Sequence, residues 1–265
     1  MVSARLPEAG ELRLGPIALP AGKQIRAGYE PAMPVAWVTL QPVPDAGRVW
    51  AALSAAHQET GLVPFLLGNL PGYPARPWDD GEFDAPVDPS ELDDMDPAQV
   101  LAGMWDGEMQ DEEVREDPEW IAMRAPFSSV QFPGLAPPGD TPLSPARLRR
   151  TLDSLSTSRI GLVPAPRPAD VLPLIGWTPS DQSDALPIAA VVRSWEERFG
   201  ARLLRVGFAE ISLLADRPPT SIEHAQRIAA EHFVFCNECA GQGLSDIPSI
   251  TASLLETPIW TFWWD

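Results

Sequence analysis

Thirty-one prolines in 265 residues constrain this chain more than any other feature. Proline fixes φ, removes a backbone donor and disrupts helix interiors and central strands. Regular elements must therefore be short, and much of the chain must lie in turns, sheet edges or extended connections. Against this, 45% of the residues are apolar and ten are Trp, which is ample material for a core. The length suits two lobes or one large domain.

The closing stretch "TPIWTFWWD" (Thr257 to Asp265) is the most aromatic part of the chain. On a strand, Trp260, Phe262 and Trp264 point to one side and Ile259, Thr261 and Trp263 to the other. Aromatics on both sides predict a core strand covered on both faces. A membrane-surface role is disfavoured because the flanks lack basic residues. The opening "MVSARLPEAGELRLG" has no apolar core of signal-peptide length, and no apolar run of about 18 residues occurs. The two cysteines fit a reducing compartment rather than a disulfide framework. A cytoplasmic location is expected, with no membrane partner.

The net charge of −18 is not spread evenly. Between Asp79 and Glu119 there are seventeen Asp or Glu against one base, Arg115, a net of −16, which leaves −2 for the remainder. No clustered basic face exists for phosphates, so nucleic acid is excluded as a partner. The acidic stretch reads either as solvated charge or as a docking surface for a basic protein, where clustered charge speeds encounter.

Periodicity places a strand at "VAWVTL" (Val35 to Leu40). A helix follows with Asp45 as cap and Gly61 as stop, then a buried strand at "LVPFLL" (Leu62 to Leu67), making a β-α-β unit. A short acidic helix is expected after Asp96 and Pro97. The Pro- and Gly-rich stretch 132–145 reads as a linker. The expected division is an N-terminal α/β lobe over 1–131 with an acidic insertion at 79–119, the linker, and a C-terminal α+β domain over 146–265. From Ile160 onward the order β-α-α-β-β-α-α-β, with a hairpin turning at Gly207 to Ala209, predicts a two-layer α+β lobe. Helices would pack on a mostly antiparallel sheet. Limited proteolysis in Asp79 to Asp117 or in the linker should then leave a resistant C-terminal piece.

The stretches "GLVPAPRPADVLPLIGW", "PIAAVVRSWEERFGARLLRVGF", "RPPTSIEHAQRIAAEHFVFC" and the closing "FWWD" resemble a bacterial family, common in actinomycetes, known only as a domain of unknown function (number 4253). The resemblance covers most of Ile160 to Asp265. It implies that "FWWD" is a family feature, and it brings no catalytic residues with it. This chain departs from the family pattern at "GWTPSDQSD" and at "FCNEC", so Cys239 is particular to it.

Three donors stand close together in "EHFVFCNEC". His232 and Cys236 are four apart on a helix, and Cys239 follows. Imidazole and thiolate suit zinc, with His224 or Glu238 as a fourth ligand. The same residues also read as a helix-buried His and a small apolar Cys. A redox pair is disfavoured, because Cys236 and Cys239 fall at the C-terminal end of a helix. No G-x-S-x-G, G-x-x-x-x-G-K or G-x-G-x-x-G occurs. Arg167 is available to pair a carboxylate, one candidate being Asp265. If a pocket exists, Arg167, Trp177, Trp195, Trp264 and Asp265 would line it, but core packing is the favoured reading. The leading reading is thus a non-catalytic binding module, immunity-like or regulatory, without a cofactor. The competing reading is an enzyme or metal-binding protein centred on His232, Cys236 and Cys239, with zinc.

Overall fold

Prolines here start elements as well as break them. The helices at Pro118–Met123, Pro145–Ser154 and Ile247–Glu256 each carry proline in the first turn, where its missing N–H costs nothing. The side chains of Asp117, Ser144 and Asp246 accept from first-turn backbone N–H groups and so fix where each helix begins.

The computed structural model describes residues 5–28, 33–70, 72–73, 75–108, 116–127, 131–179, 184–236 and 246–264. The first half contains β1 (Gly10–Leu14), β2 (Ile17–Arg26), β3 (Pro34–Thr39), β4 (Val43–Pro44), α1 (Ala46–Ala55), α2 (His57–Thr60) and β5 (Leu62–Leu67). A 3-10 turn at Pro89–Asp94 leads into α3 (Pro97–Glu108), and α4 (Pro118–Met123) and α5 (Pro145–Ser154) follow. Next come β6 (Thr157–Ser158), β7 (Ile160–Pro164), a 3-10 turn at Pro168–Asp170, α6 (Val171–Ile175) and α7 (Ala185–Phe199). The chain closes with β8 (Ala201–Val206), β9 (Glu210–Ala215), α8 (Ile222–Phe235), α9 (Ile247–Glu256) and β10 (Ile259–Trp263). Among the described residues no helix is long and apolar enough to cross a membrane.

The fold is α+β, built on one eight-stranded sheet in the order β1-β2-β3-β7-β5-β8-β9-β10. Every neighbouring pair is antiparallel except β5 and β8. The expected β-α-β unit is present as β3-α1-β5, but its two strands do not touch. Strand β7, from beyond the expected linker, lies between them and runs antiparallel to both. The stretches expected as two lobes therefore share one sheet.

Helices cover both faces of the sheet. α6, α7, α8 and α9 close one face over Phe65, Val163, Leu203, Leu213 and Phe262. α1 and α5 close the other over Trp37, Leu66, Ile160 and Leu214. Close approach is built in at Gly22, where a Cβ would lie 2.2 Å from the Trp37 ring. Gly61 ends α2 with φ of 66°, as its position predicts. Asp45 does not cap α1 as expected: it takes a left-handed φ of 50° and its side chain makes no cap bond.

Two further expectations are corrected. The stretch 132–145 is not a loose linker but a strap fastened to the C-terminal helices. Gly139 N donates to Arg198 O at 3.0 Å, Leu143 N to Asp216 O at 2.6 Å, and Ala136 is buried. The closing strand is not covered on both faces. Among the described residues β10 is an edge strand paired with β9 alone, and it buries Trp260 and Phe262, while Thr261 is exposed and Trp263 half-buried. Trp264, just beyond it, is buried with them.

Because β7 and β8 meet only through β5, residues 146–265 alone lack the strand that joins their sheet. A fragment of 146–265 should show no cooperative thermal transition by circular dichroism. A sharp transition with native-like ellipticity would show that the C-terminal stretch folds without β5.

Candidate functional site

The sequence candidates converge on one place, the junction of α7, α8 and β10. α7 carries Trp195 and Arg198 three residues apart, on one face of the helix. α8 brings Glu231, His232 and Phe235, and β10 brings Trp260 and Phe262. The Trp195 and Phe262 rings stack at 5.1 Å with planes 14° apart. His232 sits among Trp195, Trp260 and Phe262, each ring centroid 4.8 Å away. Trp177 and Trp264 extend the cluster in an edge contact at 5.7 Å. Trp177, Trp195 and Trp264, offered either as core or as pocket walls, come together as buried core.

Sequence reasoning missed the residue at the centre. Glu231 is fully buried and accepts from four donors. Trp195 Nε1 lies 2.7 Å from its Oε2, Arg198 donates through Nη1 at 2.8 Å and Nη2 at 2.6 Å, and Ala136 N donates to Oε1 at 2.6 Å. Arg198 Nη1 also donates to Ala136 O at 2.9 Å. The carboxylate is fully consumed in holding α7, α8 and the strap together, and a forked Arg pair is the strongest form of such a bond. The signal was present in the spacing of Trp195 and Arg198, two N–H donors on one helical face that a single acceptor can serve.

His232 is the opposite case. Burial first, and the Arg198 charge second, pull its pKa from the ordinary 6.5 down to about 3, so the imidazole is neutral at physiological pH. Among the described residues, its Nε2 and the Nε1 of Trp260 are buried without a hydrogen-bond partner. Both residues line a cavity of about 40 Å³ under α9, together with Leu254 and Thr261. That volume exceeds the roughly 10–15 Å³ that a water needs. The centre can hold a small hydroxylic molecule, and His232 there is a neutral hydrogen-bonding group.

The expected metal set does not assemble among the described residues. No group of three or more His, Cys, Asp or Glu there is placed to hold an ion. Cys236 caps the end of α8 with φ of −146°, leaving the helical path on which it would have shared a face with His232. It is disulfide-bonded, which corrects the expectation of reduced cysteines, and its sulfur is therefore not the thiolate that zinc requires. Cys239, Glu238 and Asp265 lie outside the described residues. His224 is engaged through Nε2 with Pro137 O at 2.8 Å. Arg167 pairs with Glu196 at 3.2 Å and Glu197 at 2.9 Å on α7, away from the Trp cluster it was expected to join.

What remains exposed is the acidic face. Residues 79–108 contain eleven Asp or Glu and no Lys or Arg. They are not simply solvated: Leu92, Leu101 and Trp105 are buried under them, and Trp105 meets Phe233 of α8 at 6.3 Å. Arg193 of α7 clamps the segment, donating to Asp93 at 2.8 Å and Pro89 O at 3.0 Å while pairing with the buried Asp170 at 2.7 Å. Asp88, Asp94, Asp96 and Asp106 are left exposed on this rigid base.

The depressed pKa of His232 has a thermodynamic sign. The unfolded chain takes up a proton near pH 6.5 that the folded chain refuses until about 3. Its contribution is therefore full above pH 6.5 and lost as pH falls toward 3. Between pH 7.5 and 5 this amounts to about 2 kcal/mol. Urea unfolding of His232→Phe should show a shallower loss over that interval than the parent. Parallel pH profiles would place the imidazole in water.

No curated protein and no solved structure matches the chain. Over residues 159–265, the stretch that contributes β7 to β10 and the whole aromatic centre, the chain matches the family described as Domain of unknown function (DUF4253).

Proposed function

We propose that the protein is a non-catalytic binding module of the cytoplasm that takes a basic protein partner on its acidic face, in an immunity-like or regulatory role. One observation carries this reading: the carboxylates of 79–108 stand on a folded base pinned by Arg193, Leu92, Leu101 and Trp105. A fixed array of like charge keeps its field in place, speeds the encounter with a cationic surface and makes binding salt-sensitive. The chemistry of the aromatic centre supports it from the other side. Glu231 is consumed structurally and His232 is held neutral.

Glu91, Asp94 and Asp106 are exposed. Replacing them together with Gln, Asn and Asn should leave stability within about 0.5 kcal/mol of the parent. Affinity for an Arg- and Lys-rich peptide, measured by fluorescence anisotropy, should fall, and its dependence on salt should flatten. Equal affinity and an equal salt slope in parent and variant would remove the acidic face from the binding reaction.

A further inference from the structure

Buried indoles in this chain find acceptors. Trp37, Trp50, Trp78, Trp177 and Trp195 each donate through Nε1 to a protein oxygen, at distances between 2.7 and 3.2 Å. Trp260 is as deeply buried, at 2% exposure, yet among the described residues its Nε1 meets no acceptor. The Nε2 of His232, 7% exposed, is unmet as well. The two rings lie 4.8 Å apart and border the same cavity of about 40 Å³. Unmet buried polar groups are costly and rare, so two of them on one cavity point to an occupant.

Neighbouring hydroxyls are already engaged. Thr261 Oγ1 is shared with Ser212 Oγ at 3.1 Å, and Thr251 Oγ1 donates to Ile247 O at 2.7 Å. The walls beside the two rings are apolar, made by Ile250 and Leu254 of α9 with Ile259 and Phe262 of β10. Half-buried Ser253 and exposed Thr261 mark the side toward solvent. The volume is roughly three times what one water needs, and a water bound here would leave its remaining bonds facing hydrocarbon.

The head group follows from the two nitrogens. An indole N–H can only donate, while a neutral imidazole nitrogen can accept. A hydroxyl oxygen accepts from the first and donates its proton to the second. Charged heads fit poorly. Burial first, and the Arg198 charge second, keep His232 neutral, and both effects oppose an ammonium group equally. A carboxylate would have to leave water without a free cation, because Arg198 is held by Glu231 at 2.6 Å.

We propose that this cavity binds a neutral hydroxyl compound with a short apolar tail, its oxygen bridging Trp260 and His232 and its tail lying on Ile250, Leu254 and Phe262. The site is separate from the acidic face and does not depend on a protein partner docking there.

The full chain would be titrated with methanol, ethanol, 1-propanol and 1-butanol, and with butylammonium and butyrate at constant ionic strength. The Trp260 indole N–H and the His232 ring nitrogens are followed by NMR. The indoles of Trp50, Trp78, Trp177 and Trp195, already bonded, serve as internal controls. Saturable shifts confined to Trp260 and His232 are expected with the alcohols. Affinity should rise about fourfold for each CH₂ added until the tail fills the walls. Trp260→Phe keeps a ring but removes the donor, and should weaken binding read at His232 by about tenfold. Ser253→Phe leaves the buried rings untouched, narrows the opening and should weaken binding too. The proposal is overturned if no alcohol saturates the two signals, which would leave water as the occupant. It is equally overturned if butylammonium or butyrate binds as tightly as 1-butanol, or if every variant that folds binds as the parent does.

Discussion

A single buried carboxylate organises the C-terminal half of this molecule. Glu231 has no contact with water, and removing such a charge from water is costly unless every lone pair is met. Here two forks of Arg198, the indole of Trp195 and the amide of Ala136 meet it. Three elements distant in sequence must arrive in one arrangement to satisfy it. Once they do, Trp195 is oriented so that its ring stacks on Phe262, which draws β10 onto the same face as His232. The aromatic richness of the closing residues is the apolar counterpart of that polar lock.

The sheet imposes the second constraint. β7, inside the family stretch, fills the gap between β3 and β5, and β5, outside it, fills the gap between β7 and β8. The two halves are interleaved, so stability in either depends on the other. The same crossing brings Gly68 against Gly207.

Much of the fold was legible in the sequence because local signals agreed with it. The run from β7 to β10 follows periodicity, caps and the Gly207 to Ala209 turn. The hairpin of β1 and β2 was not legible: Pro20 falls inside β2, which argues against a strand. The register skips there, pairing Leu12 with Leu19 and Gly10 with Gly22, so the proline sits at an irregularity. The strap was misread for a related reason. Its Pro and Gly content signals a linker, while what fastens it is Glu231, 95 positions away from Ala136. His232 was singled out correctly as a helix-face residue, but its neutrality comes from rings supplied by other elements.

The central claim is that Glu231 and its donors form the structural lock of the α7–α8–β10 junction. Its most direct test is a double-mutant cycle on Glu231→Gln and Arg198→Met, read by urea unfolding. Glu231→Gln alone should cost about 3–5 kcal/mol, because it strands a buried guanidinium. The double variant should cost clearly less than the sum of the two singles, since the paired charges then leave together. A loss under about 0.5 kcal/mol for Glu231→Gln, or strictly additive singles, would contradict the lock.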